Sequence, residues 1–391
     1  MRYCDCYDLH LGMVLAHALY SETNELLLSR GYVLDEALIG RIRHLGISPV
    51  CVEEEGTEDI IIEEIAPESA RLAANGSLKA VFDEVVQATK DRMEAGLDSF
   101  WPSLKPMGFA LPLENVKKAV STLIEELLDN MATEWTTLPL KFVTGSYFRH
   151  GVDVALLSLL MGIHFQFRFK DLKYLGLGAM LHDIGKTLAP NILEKKNFDF
   201  SPDDQIQYRR HPEYGLRLLE GQPEGLYIEK ECIHQHHEQP DGGGFPRGLR
   251  GSQTPPSPRS NPNPQEIFRL AEIVHVADAY LNLTTGGWLP KALDPENAVS
   301  EILRHTPKAY NPHIVSALLQ VVVRFPRGAK VRILKNSSQS YIGFRGVVAA
   351  PNPAEPHKPR VVIIENRFGE RIKPKTVDFS QEKTMQICLE V

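Results

Sequence analysis

The feature that most constrains this chain is a helical apolar period that recurs in separate segments across residues 66–325. Val116, Ala119, Val120, Leu123, Ile124 and Leu127 fall on one face of a 3.6-residue repeat. Val154, Leu157, Leu160 and Met161 repeat the pattern, then Leu172, Leu175, Ala179 and Met180, and then Ile267, Leu270, Ile273, Val274 and Ala277. Helices with such stripes must bury them against one another, which predicts a mainly α core. The Val116–Leu127 helix is expected to serve that internal core; pairing with a second chain, giving a homodimer, is the alternative. Ser252–Gln265 carries Pro255, Pro256, Pro258, Pro262 and Pro264. Prolines at that density break a helix, so this stretch is expected to be a surface loop.

The flanks follow other rules. In residues 1–65, Met13–Ala16, Leu26–Leu28 and Val50–Val52 are short apolar runs, and Asp35 is placed to cap a helix that Gly46 ends. In residues 326–391, Val331-Arg332-Ile333 alternates and Val361–Ile364 is β-branched, which predicts a small barrel or sandwich. The expected organisation is a small α+β module over 1–65, a helical linker region over 66–135, a helical core over 136–325 and a β-rich domain over 326–391.

Composition narrows the function. At 391 residues, with 43% hydrophobic and 24% charged, the chain is long enough for several domains and is not disordered. A net charge of −7 leaves no broad basic field, so DNA binding is not expected; an anionic substrate would need local positive charge, as from a metal. No apolar run approaches the roughly 20 residues of a membrane span, and the first residues lack the apolar core of a secretory signal. Cys4, Cys6, Cys51, Cys232 and Cys388 are scattered and odd in number, as for reduced thiols. A cytoplasmic location is expected.

The chemistry concentrates in the histidines of the middle zone. His182-Asp183-Ile184-Gly185-Lys186 follows an apolar helix, so His182 and Asp183 are expected near its end. Imidazole and carboxylate both ligate divalent first-row metals, and a carboxylate can bridge two ions. His211-Pro212 is expected to begin a helix. His234-Gln235-His236-His237-Glu238 is expected to place two adjacent imidazoles about 100° apart on another. Asp241 through Pro246 is a glycine-rich loop suited to close approach of a ligand. Asp278 is a lone carboxylate in an apolar helix, where burial calls for a partner.

In this order the strings resemble the HD-GYP family, HD-superfamily phosphodiesterases that hydrolyse cyclic di-GMP. The resemblance covers roughly residues 140–290 and rests on His150, His182 to Lys186, Pro190 to Leu193, His211 to Gly215, His236 to Glu238, Asp241 to Gly251 and Val276 to Asp278. It implies His150, His182, Asp183, His211, His236, His237 and Asp278 as metal ligands, with Asp183 the bridge. It implies Asp183 and Lys186 as catalytic, and Lys186, Asp241, Gly244, Phe245 and Pro246 as substrate-binding. Two divalent ions, iron or manganese, would activate a water and stabilise an in-line displacement, giving linear pGpG and further GMP.

Three departures matter. Phe245 stands where the family has tyrosine. Ser146 stands where three-metal members carry a glutamate, which implies two ions. Leu281-Asn282-Leu283-Thr284-Thr285-Gly286-Gly287-Trp288 lacks the family's arginine, and Lys291 comes late. The altered shell motivates an alternative: a weak or inactive scaffold that binds a cyclic dinucleotide or a signalling protein. A mononucleotide-specific HD hydrolase is a third reading, disfavoured by the His236–Pro246 segment.

Overall fold

The computed structural model describes all residues except 22–24, 63–64, 94–109, 132–146, 194, 196, 223–224, 258–262, 353 and 391. Near the N-terminus, β1 (Arg2–Cys4) pairs antiparallel with β4 (Val50–Val52), and β2 (Leu19–Tyr20) with β3 (Leu26–Leu28). Helix α1 (Glu36–His44) starts where Asp35 Oδ1 accepts the Leu38 N–H at 2.8 Å, the cap expected from sequence. Leu15, Leu34, Ile39, Ile42 and Val50 form a separate small core under these elements.

The helical part runs through α2 (Glu68–Met93), α3 (Leu113–Met131), α4 (Tyr147–His164) and α5 (Phe169–Leu181). A 3-10 turn follows (Ile184–Leu188), then α6 (Pro190–Leu193), α7 (Pro202–Glu220), α8 (Tyr227–Gln235), α9 (Arg269–Thr285), α10 (Pro295–His305) and α11 (Pro312–Val321). One apolar core joins them: Leu78 of α2, Val120 and Leu123 of α3, Leu157 of α4, Leu175 of α5, Ile233 of α8, Ile273 of α9 and Leu318 of α11 are all buried. The stripe on α3 thus faces this internal core.

Two local expectations are corrected. Helix α7 begins nine residues before His211. Ser201 Oγ accepts the Asp204 N–H at 3.2 Å while Asp204 Oδ2 accepts the Ser201 N–H at 2.9 Å, and Pro202 opens the first turn. This reciprocal cap outranks the His211-Pro212 signal, and Pro212 lies inside the helix. Helix α8 ends at Gln235, so His236 caps its C-terminus and His237 lies beyond it.

The C-terminal strands β5 (Lys330–Asn336), β6 (Arg345–Ala350), β7 (Arg360–Glu365), β8 (Arg371–Asp378) and β9 (Met385–Leu389) form one antiparallel sheet ordered β8-β7-β6-β5-β9. The expected barrel or sandwich is thus a single sheet among the described residues. Its faces are covered in two ways. Phe325 and Phe379 pack on Val331, Val361 and Ile363, while Ile60 and Ile62 of the N-terminal region pack on Val347, Val362 and Ile364.

Candidate metal centre

Five separate segments deliver seven side chains to one place. His150 comes from α4, His182 and Asp183 from the turn that ends α5, and His211 from the middle of α7. His236 and His237 come from the end of α8, and Asp278 from α9. Glycine permits the central approach: a Cβ on Gly185 would stand 1.9 Å from the His211 carbonyl oxygen and 2.6 Å from the Gly215 nitrogen. Backbone contact at Gly185 brings Asp183 against α7, and Asp183 Oδ1 lies 3.2 Å from His211 Nε2.

The donor atoms fall into two groups. In His150, His182 and Asp183, one ligand atom from each lies within 4.8 Å of the others, and the same holds for His211, His236 and His237. Asp183 touches both groups. Its Oδ2 is 3.4 Å from His182 Nε2, and its Oδ1 is 3.2 Å from His211 Nε2 and 4.0 Å from His236 Nε2. Asp278 Oδ1 closes the first group, at 2.8 Å from His150 Nε2 and 3.6 Å from His182 Nε2.

Hydrogen bonds behind the rings aim them. The Nδ1 atoms of His182, His211 and His236 meet the carbonyl oxygens of Ala179, Tyr208 and Ile233 at 2.7, 2.5 and 2.7 Å. A carbonyl only accepts, so each Nδ1 carries a proton and each Nε2 faces the cluster. His211 Nε2 and His236 Nε2 stand 3.1 Å apart.

Electrostatics favour the ligating forms of His211, His236, His237, Asp183 and Asp278. Burial holds His211 below the ordinary histidine value, partly offset by Asp183. Burial and neighbouring imidazoles push His236 and His237 well below it. Burial works to raise Asp183, but His182 and Lys186 outweigh it and hold the carboxyl well below its usual range. For Asp278, His150 and His182 likewise overcome burial. Burial works to lower His182, but Asp183 and Asp278 raise it to about 10. Two ionised carboxylates are thus enclosed with the neutral imidazoles of His211, His236 and His237, and they hold His182 in its charged form, which marks the place between them as one that favours a cation. His182 Nε2 is buried, has no hydrogen-bond partner and lies close to both carboxylates, so the residues fit a bound divalent metal.

Lys186 Nζ is 2.6 Å from Asp183 Oδ2 and 5.3 Å from the centre of the Tyr208 ring. Phe245 stacks on His237, with ring centres 4.6 Å apart. Gly244 is required by packing, since a Cβ there would lie 2.4 Å from the His237 carbonyl oxygen. Pro246 follows Phe245 through a cis peptide bond. Glu238 fixes the loop by accepting the Arg247 and Leu249 N–H groups at 2.7 and 2.8 Å. Asp241 stands apart: it is exposed, and its carboxylate accepts the Gly243 N–H at 2.8 Å within the loop's own turn. Ser146, the basis for expecting two ions rather than three, lies outside the described residues.

Sequence reasoning missed three neighbours. Asn282 Nδ2 donates to Asp278 Oδ1 at 2.6 Å; its position one helical turn after the aspartate is the signal that could have found it. Tyr208 lies against His211, His237 and Phe245, and its hydroxyl is 3.3 Å from His237 Nε2. Arg209 sits 4.6 Å over the Phe245 ring. Neither residue carries a local sequence signal, because α7 was expected to begin after them.

Residues 159–314 match the family model described as HD domain. The chain is 24% identical over 368 residues to the cyclic di-GMP phosphodiesterase PA4108 of Pseudomonas aeruginosa, covering 90% of this chain and 82% of that one. It is 28% identical over 152 residues to the cyclic di-GMP phosphodiesterase response regulator RpfG of Xanthomonas campestris, where it spans 39% of this chain and only 37% of that one. A solved HDG"Y"P protein from Bdellovibrio bacteriovorus aligns over 81% of this chain and 97% of its own, with TM-score 0.47 and 18% identity. Among the described residues, no helix is long and apolar enough to cross a membrane. Residues 159–314 thus match an HD domain, and the chain is similar to cyclic di-GMP phosphodiesterases, in keeping with the HD-GYP motifs that its sequence resembles.

Proposed function

We propose that this chain is a metal-dependent phosphodiesterase that opens cyclic di-GMP to linear pGpG and carries it on to GMP. The observation that carries the reading is the pair of three-residue donor groups, with Asp183 of the first also in reach of His211 of the second. His150, His182, Asp183, His211, His236, His237 and Asp278 would hold two divalent ions; mixed imidazole and carboxylate donors suit iron or manganese. Such a pair, when bound, supplies an activated water and charge for an in-line displacement at phosphorus.

The chain's own residues do the rest. Asp183 sets the spacing of the two groups, and the carbonyls behind His182, His211 and His236 keep their Nε2 atoms turned inward. Lys186, beside Asp183, offsets negative charge building on the phosphoryl oxygens. Phe245, stacked on His237, lines the apolar edge of the site against which a purine base would rest. Gly244 and Pro246 shape that loop, and Asp241 holds its turn at the rim. We place the protein in the cytoplasm, where cyclic dinucleotides act as messengers.

The test is product analysis. Protein loaded with Fe(II) or Mn(II) and incubated with cyclic di-GMP should release pGpG before GMP on ion-exchange chromatography. Ion-loaded protein that releases neither overturns the reading. The replaced segment after Asp278, Leu281–Trp288, favours one second reading, a metal-loaded scaffold, whose signature is tight cyclic di-GMP binding without product.

A further inference from the structure

We propose that Arg209 is the residue that grips the second, non-reacting phosphate of a cyclic dinucleotide. This rests on the phosphodiesterase reading above and assigns a residue to substrate specificity. A cyclic dinucleotide carries two phosphodiesters. If one lies at the metal centre, the other needs a cation outside it.

The cations near the cluster are mostly committed. Lys186 is bound to Asp183, Arg247 Nη2 donates to the Pro264 carbonyl at 2.9 Å, and Arg269 is paired with Glu272. No arginine occurs between Asp278 and Trp288. Arg209 differs from all of these. Its side chain is exposed, and among the described residues it has neither a hydrogen-bond nor an ion-pair partner.

Its one contact places it. The guanidinium carbon lies 4.6 Å over the Phe245 ring, and Phe245 is stacked on His237 of the donor cluster. Tyr208, the preceding residue, has Lys186 5.3 Å from its own ring centre. The two rings are 6.0 Å apart, so they form one aromatic strip with Lys186 at Tyr208 and Arg209 at Phe245. Two anionic groups match the two cations on such a strip. Stacking on Phe245 leaves the donors of the guanidinium fork unused, and that fork suits two oxygens of one phosphate.

The experiment compares two substrates on the intact metal-loaded protein. Cyclic di-GMP has the second phosphate; bis-p-nitrophenyl phosphate has one phosphodiester and no purine. Arg209→Met keeps an unbranched apolar side chain and removes the guanidinium that lies over Phe245, with its charge and its donors. It should raise KM for cyclic di-GMP about tenfold or more, and weaken calorimetric binding in parallel. Its kcat, its metal content and its turnover of bis-p-nitrophenyl phosphate should stay within twofold of wild type, and Arg209→Lys should recover part of the loss. Unchanged KM and binding for cyclic di-GMP in Arg209→Met overturn the assignment while leaving the phosphodiesterase reading intact. Wild type that hydrolyses bis-p-nitrophenyl phosphate but neither binds nor cleaves cyclic di-GMP overturns that reading, and the ligand of Arg209 with it.

Discussion

His150 Nε2 lies 2.8 Å from Asp278 Oδ1, joining α4 to α9 across 128 positions of chain. The same carboxylate oxygen accepts from Asn282 at 2.6 Å and stands 3.6 Å from His182 Nε2. Asp278 therefore faces its cluster in one fixed orientation, set from α4, α5 and its own helix. Removing a support should loosen a site without dismantling it.

Asn282→Ala is the direct case. The Asp278 carboxylate keeps His150 but loses its anchor on α9. Metal affinity should fall about 10- to 100-fold, as for other partners that orient a ligand, with the fold intact. Competition with a chelator measures this; an unchanged affinity would remove Asn282 from the account.

Asp183→Ala removes the carboxylate of the first donor group that also lies 3.2 Å from His211 of the second. Bound metal and phosphodiesterase turnover should both drop by more than the Asn282 variant loses. Elemental analysis and activity on the same sample check it, and wild-type turnover with full metal content would refute the role of Asp183.

Gly185→Ala tests how the turn meets α7. The added methyl would stand 1.9 Å from one backbone atom and 2.6 Å from another, neither of which can rotate away. The variant should be destabilised by about 1–3 kcal/mol or more in denaturant unfolding. A change within about 0.5 kcal/mol would mean the contact is slack.

Glu272 provides the pH dependence. Burial raises its carboxyl from 4.5 to about 7, with Arg269 and Asn311 holding it back. The folded state therefore binds this proton more tightly than the unfolded chain. Its contribution is fully present below pH 4.5 and is lost as pH rises through 7. The stability of wild type relative to Glu272→Gln should fall across that window, by at most about 3 kcal/mol. A pH-independent difference would contradict the assignment.

Much of this was legible in sequence because it depends on local pattern. The period of Val116–Leu127 and of Leu172–Met180 located buried faces, and Asp35 marked a helix start. The donor residues were legible as a set because His182-Asp183, His236-His237 and Asp278 occur in a recognisable order. What failed was local competition between signals: Ser201 and Asp204 started α7 earlier than His211-Pro212 suggested. The neighbours Tyr208 and Arg209 act through tertiary contacts with Phe245, 36 residues or more away, and no periodicity encodes such a contact. The single sheet was equally hidden, since alternation in Val331–Ile333 specifies a strand with one covered face and not what covers it.

On the proposed reading, seven side chains from five segments hold two ions for phosphodiester cleavage. Its most direct test is anaerobic purification followed by metal counting and a cyclic di-GMP assay on the same sample. Two iron or manganese ions per chain and release of pGpG are expected. Three ions would contradict the two-site arrangement, and a sample with two ions that leaves cyclic di-GMP intact would contradict the proposed chemistry.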